Sequence, residues 1–425
     1  MKNMRGHKKR IFPTFLTRSD VLIYGFLIVL LYIMIAFLLP EKGFPGDLWY
    51  WQYWSKYSFK HGIENIYKSK ANYHPVWLYG LHIFGLIQGS KEQIIQNIHY
   101  VKLIPLVFDF LGAIAIFCFL KFRPKNYLLP FFLLLNLAYL YNSIIWGQID
   151  SIPTFFALMA IILALKNKAS LSMLFFVIAF NTKLQVIIIT PILGLLLLPQ
   201  LIQRPKRIVP ILLTVIITQM VIILPFLLEG TAGEYWHVIT NAVGHYTRIS
   251  MNAFNLWFLL YPKPEYTNDD IILWQSTPKI WGFILFFISS FIVLLPLLVK
   301  IIQHIKSKTK NLIDLSELAF LSSGLVTIVF FYFNTQMHER YAHSALIFFF
   351  FYGILSKNYW LYGLTSLAYF LNLERVLNAI PFLHPHTLIL DQKFVAVIYF
   401  IVLIIGIWKL YKLHNISPQR FQKDT

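Results

Sequence analysis

Charge and cysteine are both scarce in this chain. Of its 425 residues only 13% are charged, about half the share a soluble protein carries. Hydrophobic types make up 58%, more than the interior of any water-soluble fold of this size can hide. A soluble globular enzyme and a disordered scaffold are therefore excluded. The one cysteine, Cys118, cannot form an internal disulfide, which removes a disulfide-stapled secreted domain. Also missing are a P-loop, a GxGxxG, a CxxC and an HExxH, so no phosphate cradle or tight zinc site is signalled. No internal repeat or inverted pair of hydropathy halves appears, and acidic residues number 18 against 37 basic.

What is present is a series of long apolar runs. A bilayer core of ~30 Å needs about 20 apolar residues as helix. That ruler places spans near 21–39, 98–120, 127–145, 153–166, 170–183, 184–202, 208–228, 280–299, 314–334, 341–356, 358–374 and 394–413. The expected fold is an all-α polytopic bundle of about twelve spans. Two of them, 153–166 and 170–183, are short enough to tilt or stop part-way. The segment after the basic stretch Met1–Arg10 is long and lacks a small-residue cleavage site, so it reads as a retained first span. The expected organisation is a basic terminus over 1–20, one membrane domain over 21–413 and a tail over 414–425.

Lysines and arginines set the orientation. Alternating the spans places Arg18, Lys166, Lys168, Arg204, Lys206, Arg207, Lys300, Lys357, Lys409 and their neighbours on one side, 23 of the 37 basic residues. Both termini are thus expected in the cytoplasm, with long outer loops over 40–97, 229–279 and 375–393. The cytoplasmic side also holds Asp20, Asp314, Glu317 and Asp424, so the whole surplus of +19 faces anionic lipid. No nucleic-acid partner is called for. The expected location is the cell membrane, with membrane lipids as neighbours.

The chemistry must then come from the outer loops and span ends. Asp47 precedes an aromatic run (Trp49, Tyr50, Trp51, Tyr53, Trp54). It fits the N-cap of an interfacial helix running to about Lys60, and it also suits a general base held at the membrane surface. Asp109 lies mid-span and is expected to bond a neighbouring helix. Lys102, near the outer interface, is in position for a lipid phosphate. Trp146-Gly-Gln148-Ile-Asp150 offers an indole to stack on a sugar and two hydroxyl acceptors, or simply an interfacial aromatic and a helix cap. Lys183, in Asn181-Thr182-Lys183-Leu-Gln185, interrupts a long apolar stretch and needs an anionic partner, protein or phosphate. His338-Glu339-Arg340-Tyr341-Ala342-His343 packs four titratable groups into six residues, suited to phosphate or to an ion-pair anchor. The second long loop adds Glu234, His237, His245, Arg248 and Asn252-Ala-Phe-Asn255-Leu-Trp257. Its histidines are too widely spaced for a zinc site, although a carboxylate-held divalent cation stays open.

Taken in order, Asp47, Trp146-Gly-Gln148-Ile-Asp150, Thr182-Lys183-Leu-Gln185, Asn252-Ala-Phe-Asn255-Leu-Trp257 and His338-Glu339-Arg340-Tyr341 resemble the integral-membrane glycosyltransferases of the GT-C class. The pattern is similar to that of bacterial and archaeal mannosyltransferases related to the second mannosyltransferase of GPI-anchor assembly. His338-Glu339-Arg340 is similar to the His-Glu-Lys tripeptide of luminal glucosyltransferases of dolichol-linked oligosaccharide assembly.

The resemblance implies a polyprenyl-phosphate sugar donor carrying mannose, a glycan, glycolipid or protein acceptor, and transfer outside the cytoplasm. It implies a catalytic acid in the first outer loop, where Asp47 fits better than Glu41 or Glu64. Relatives often carry two acids together there, whereas Leu48 and Trp49 follow Asp47. On this reading Lys183, His338, Arg340 and Lys102 bind the donor phosphate. Trp146, Gln148, Asp150, Glu339 and Asn252 bind sugar or acceptor. The rival is a lipid or solute transporter using Asp109 and Lys183, and a non-catalytic assembly protein is a third reading. The transporter would favour matching broken helices in two halves, and the sequence has one interrupted segment without a counterpart.

Overall fold

The computed structural model describes residues 18–120, 128–241, 246–307, 311–384 and 387–415. The basic segment 1–17, Lys121, Arg123, Lys125, His245, Lys308, Lys310 and the tail from 416 lie outside the described residues. Helix dominates. In chain order the helices are α1 (Arg18–Phe37), α2 (Pro45–His61), α3 (Pro75–Gln88), α4 (Lys91–Gln96), α5 (Leu103–Phe119), α6 (Leu129–Leu134), α7 (Leu137–Leu140), α8 (Ser151–Leu165) and α9 (Ala169–Phe180). Then follow α10 (Thr190–Gln203), α11 (Ile208–Leu228), α12 (Ala232–Thr240), α13 (Leu256–Leu260), α14 (Pro278–Lys306), α15 (Ser316–Phe333), α16 (His343–Ser356), α17 (Trp360–Leu377) and α18 (Gln392–Asn415). Two short strands, β1 (Ser250–Met251) and β2 (Met337–His338), pair in parallel.

Helix dominates the expected segments among the described residues, so the all-α polytopic bundle stands. Seven of the described helical stretches are long and apolar enough to cross a membrane: Asp20–Phe37, Ile98–Phe119, Leu184–Gln203, Pro205–Leu228, Pro278–Lys306, Ile313–Phe333 and Gln392–Leu413. α8, α9 and α16 are apolar but shorter. The segment expected as a span over 127–145 is broken instead. Pro130 opens α6, Asn136 caps α7 by accepting from Ala138 N, and Tyr141–Trp146 is a π-helical turn ending at Gly147, whose φ of 89° favours glycine. Irregular backbone at such depth survives where protein covers it. Asn142 O accepts from both Gly147 N and Gln148 N, and Trp51 Nε1 donates to Gly147 O.

The first loop builds a layer of its own on the bundle. α2 turns Trp51 and Trp54 inward against Trp77, Leu78 and Leu81 of α3, with Ile149, Phe226 and Tyr235 completing this small core. At α9's end Asn181 ties four elements together. Its carbonyl accepts from Val76 N, its side chain pairs with Gln219 of α11, and Tyr235 of α12 donates to its Oδ1 at 2.7 Å. This layer roofs one end of the bundle and brings residues far apart in sequence to a single cavity.

Candidate active site

The cavity has a volume of about 520 Å³ and lies between the first-loop layer and the ends of the bundle helices. Asp47 and Tyr50 of α2, Tyr73, Lys183, α12 and Arg340-Tyr341 line it. Asp47 does not cap its helix, as the sequence led us to expect. The chain enters at Phe44, Pro45 takes the first turn, and no side chain caps the end. The Asp47 carboxylate instead accepts from Trp146 Nε1 at 2.8 Å. Trp146 is held in turn. Its ring stacks on Phe44 at 4.8 Å, and its carbonyl accepts from Phe44 N at 2.8 Å.

Three cations line the pocket, Lys70, Lys183 and Arg340, and the last two carry a carboxylate behind them. Lys183 is ion-paired to Asp150, which also accepts from Asn142 Nδ2 at 3.0 Å. Arg340 Nη1 sits 2.7 Å from Glu339, and His338 Nδ1 lies 3.3 Å from that same nitrogen. Burial pushes the Asp150 and Glu339 carboxyls up, but Lys183, Arg340 and His343 around the first, and Arg340 and His338 around the second, together outweigh it, so both are held below the usual range. Burial and Arg340 together lower His338, which favours its neutral form. Lysine and arginine each keep donors beyond those their carboxylates take.

The structure places the other expected site residues in varied surroundings. Lys183 has a protein partner, so a lipid phosphate is not needed to stabilise it, though it still faces the cavity. Lys102 is fully buried and away from the cavity; its Nζ donates to the carbonyls of Pro40 (2.8 Å) and Lys42 (2.5 Å), pinning the start of the first loop. Trp146 is buried under Phe44 and offers no face to a sugar. Gln148 is buried and bonds Tyr73 at 3.3 Å, supporting a residue that does line the cavity. Asp150 and Glu339 are occupied as counter-ions, and His338 packs its ring on Tyr246 behind the pocket wall. Asn252 adopts φ 65°, and its carbonyl accepts from Asn372 Nδ2; it shapes the loop and does not line the cavity. Asn255 likewise serves the fold by capping α13 and donating to Phe331 O. Asp109 is fully buried in α5 with Tyr139 nearby.

Tyr73 is a lining residue that sequence reasoning passed over, and Tyr341, quoted there only within its motif, lines the cavity too. The aromatic abundance of the chain masked both, since tyrosines at membrane interfaces are common. A smaller cavity, about 30 Å³, shares Lys183, Gln185, Arg340 and Tyr341 with the large one. Its other walls are mostly apolar, including Pro153, Ala157, Val186, Ile189 and Phe330. Among the described residues no three His, Cys, Asp or Glu side chains are grouped to hold a metal ion.

Apolar helices of spanning length and a polar pocket roofed by one loop layer define a multi-pass membrane protein. Within it, residues 77–249 match the family model described as ALG3 protein, a family of dolichyl-phosphate-mannose-dependent mannosyltransferases of the endoplasmic reticulum with a GT-C-like fold. The match supports a membrane glycosyltransferase. It covers about two fifths of the chain, taking in Trp146, Asp150 and Lys183 but neither Asp47 nor Arg340. No curated protein matches the chain.

Proposed function

We propose that the protein is an integral-membrane mannosyltransferase that takes mannose from a polyprenyl-phosphate donor and passes it to an acceptor hydroxyl on the extracytoplasmic face. One observation carries this reading: a carboxylate from the first loop (Asp47) and two cations from distant segments (Lys183, Arg340) share the wall of one cavity. The likeness to enzymes related to the second mannosyltransferase of GPI assembly supports the same donor class through motif order.

The mechanism is a single in-line displacement. The acceptor oxygen forms a bond to the anomeric carbon as the bond from that carbon to the phosphate oxygen breaks, inverting the centre. Asp47 takes the acceptor proton. Lys183 and Arg340 stabilise the phosphate, on which negative charge grows as the sugar leaves. Because Lys183 and Arg340 are each already paired with a carboxylate, their charge is partly offset in the ground state. Protonation of Asp47 then removes one negative charge from the pocket as the leaving phosphate gains one.

The test is transfer of radiolabelled mannose from polyprenyl-phosphate mannose by the purified protein in detergent. General-base catalysis contributes about 10²–10⁴-fold, so Asp47→Asn should lose at least a hundredfold while keeping the wild-type melting temperature. Undiminished transfer by that variant removes Asp47 from the mechanism, and no transfer by the wild type removes the function.

A further inference from the structure

Deepening the mannosyltransferase reading and resting on it, we infer that α12 is the acceptor-binding wall and that its ligand is a neutral, polyhydroxylated saccharide.

Glu234, His237, Val238 and Asn241 line the cavity. Their spacing of three, one and three places them on one face of a helix, spread over about 10 Å along its axis. Trp236 points elsewhere and is 65% exposed, while Tyr235 locks the helix to Asn181 and to Tyr67. α12 is thus fastened by one side and offers another to the pocket.

The chemistry of that face differs from that of the cationic wall of the cavity. Lys183 and Arg340 supply the cationic wall, and both also border the small cavity. With the donor phosphate assigned to those two cations, α12 is left for the other substrate. Glu234 accepts hydrogen bonds, the His237 ring can donate or accept, and Asn241 does both. His237 and Asn241 are already bonded to each other at 2.8 Å, which holds them in place. Hydroxyl groups, each donor and acceptor at once, complement such a row. Trp54 and Tyr67 line the same cavity and add the apolar faces on which sugar rings pack. On α12 itself a phosphate would meet the Glu234 carboxylate, while the third cation of the lining, Lys70, lies outside this helix, so the α12 face favours a neutral group.

Glu234, His237 and Asn241 are exposed to the cavity and not packed in a core, so substituting them leaves the fold intact. The experiment measures transfer from polyprenyl-phosphate mannose to octyl α-mannoside, varying each substrate separately, for the wild type, Glu234→Gln, His237→Ala and the control Trp236→Ala. Each of the first two should raise the acceptor KM about tenfold, the loss of one hydrogen bond, with donor KM and the kcat at saturating acceptor unchanged. Trp236→Ala should change neither KM. An unchanged acceptor KM in both α12 variants, or a rise in donor KM in its place, overturns the α12 assignment while leaving the enzyme reading standing. Absence of transfer by the wild type to any saccharide acceptor overturns both.

Discussion

The Nε1 of Trp146 donates to the Oδ2 of Asp47 at 2.8 Å, across 99 positions of sequence. The indole that a sequence reader would lay against a sugar is instead the partner that orients the candidate base. Phe44 grips Trp146 from both ring and backbone, so the loop strand before α2 and the π-helical turn before Gly147 are positioned together.

Trp146→Phe should therefore act on chemistry and not on binding. It keeps the stack on Phe44 and removes only the N–H. A lost bond to a charged acceptor is worth ~1.5–3 kcal/mol, so kcat should fall about ten- to a hundredfold, with donor KM unchanged. Steady-state kinetics with varied donor decide it; a raised donor KM at constant kcat would instead place Trp146 at the donor.

The buried pair Lys183–Asp150 should show the asymmetry of ion pairs in low dielectric. Removing one partner of such a pair typically costs ~3–5 kcal/mol, while replacing both with apolar groups is often neutral. Asp150→Leu alone should lower the melting temperature strongly, and Lys183→Met with Asp150→Leu should recover most of it while staying inactive. Thermal unfolding in detergent, paired with the transfer assay, tests both halves.

Lys102 offers a direct contrast between its two roles. Its ammonium bonds the Pro40 and Lys42 carbonyls, so Lys102→Met should loosen the entrance of the first loop. The expected outcome is lower kcat and faster proteolysis near residues 40–44. An increased donor KM as the main effect would restore the phosphate-binding role.

The Glu339 carboxyl is held below its ordinary value by Arg340, at 2.7 Å, against the upward push of burial. A depressed carboxyl contributes stability that is present above the unfolded pKa, about 4.3, and is lost as pH falls through the folded value. Glu339→Gln should be destabilised at neutral pH, and its deficit should shrink below about pH 4.3 as the wild-type carboxyl protonates. Melting temperatures of both proteins between pH 3 and 8 check the sign. A constant deficit across that range would mean that the charge of Glu339 carries none of the effect.

Little of this wiring was legible in the residues, and particular cases show why. Lys183 was recognisable as needing an anion, because a lone cation in an apolar run is costly. Which anion was decided by Asp150, brought to it across the α8–α9 hairpin. Asn252 and Asn255 read as polar groups in an outer loop. Only the packing of that loop on α15 and α17 set the Asn255 side chain on Phe331 O and the Asn252 carbonyl under the Asn372 amide. Tyr73 carried no signal at all, since its importance lies in the cavity it borders and the Gln148 behind it.

The sequence by itself determined that this chain is a helical membrane protein. Apolar length and composition are sums over residues, and a bilayer leaves the backbone few other ways to satisfy its hydrogen bonds. It also narrowed the charged groups to a few loops and span ends. Which of those groups face a ligand and which serve as counter-ions or pins was decided by tertiary structure alone. A buried charge takes whatever partner folding places within bonding distance, and that distance is a property of the packed loop layer, not of any one segment.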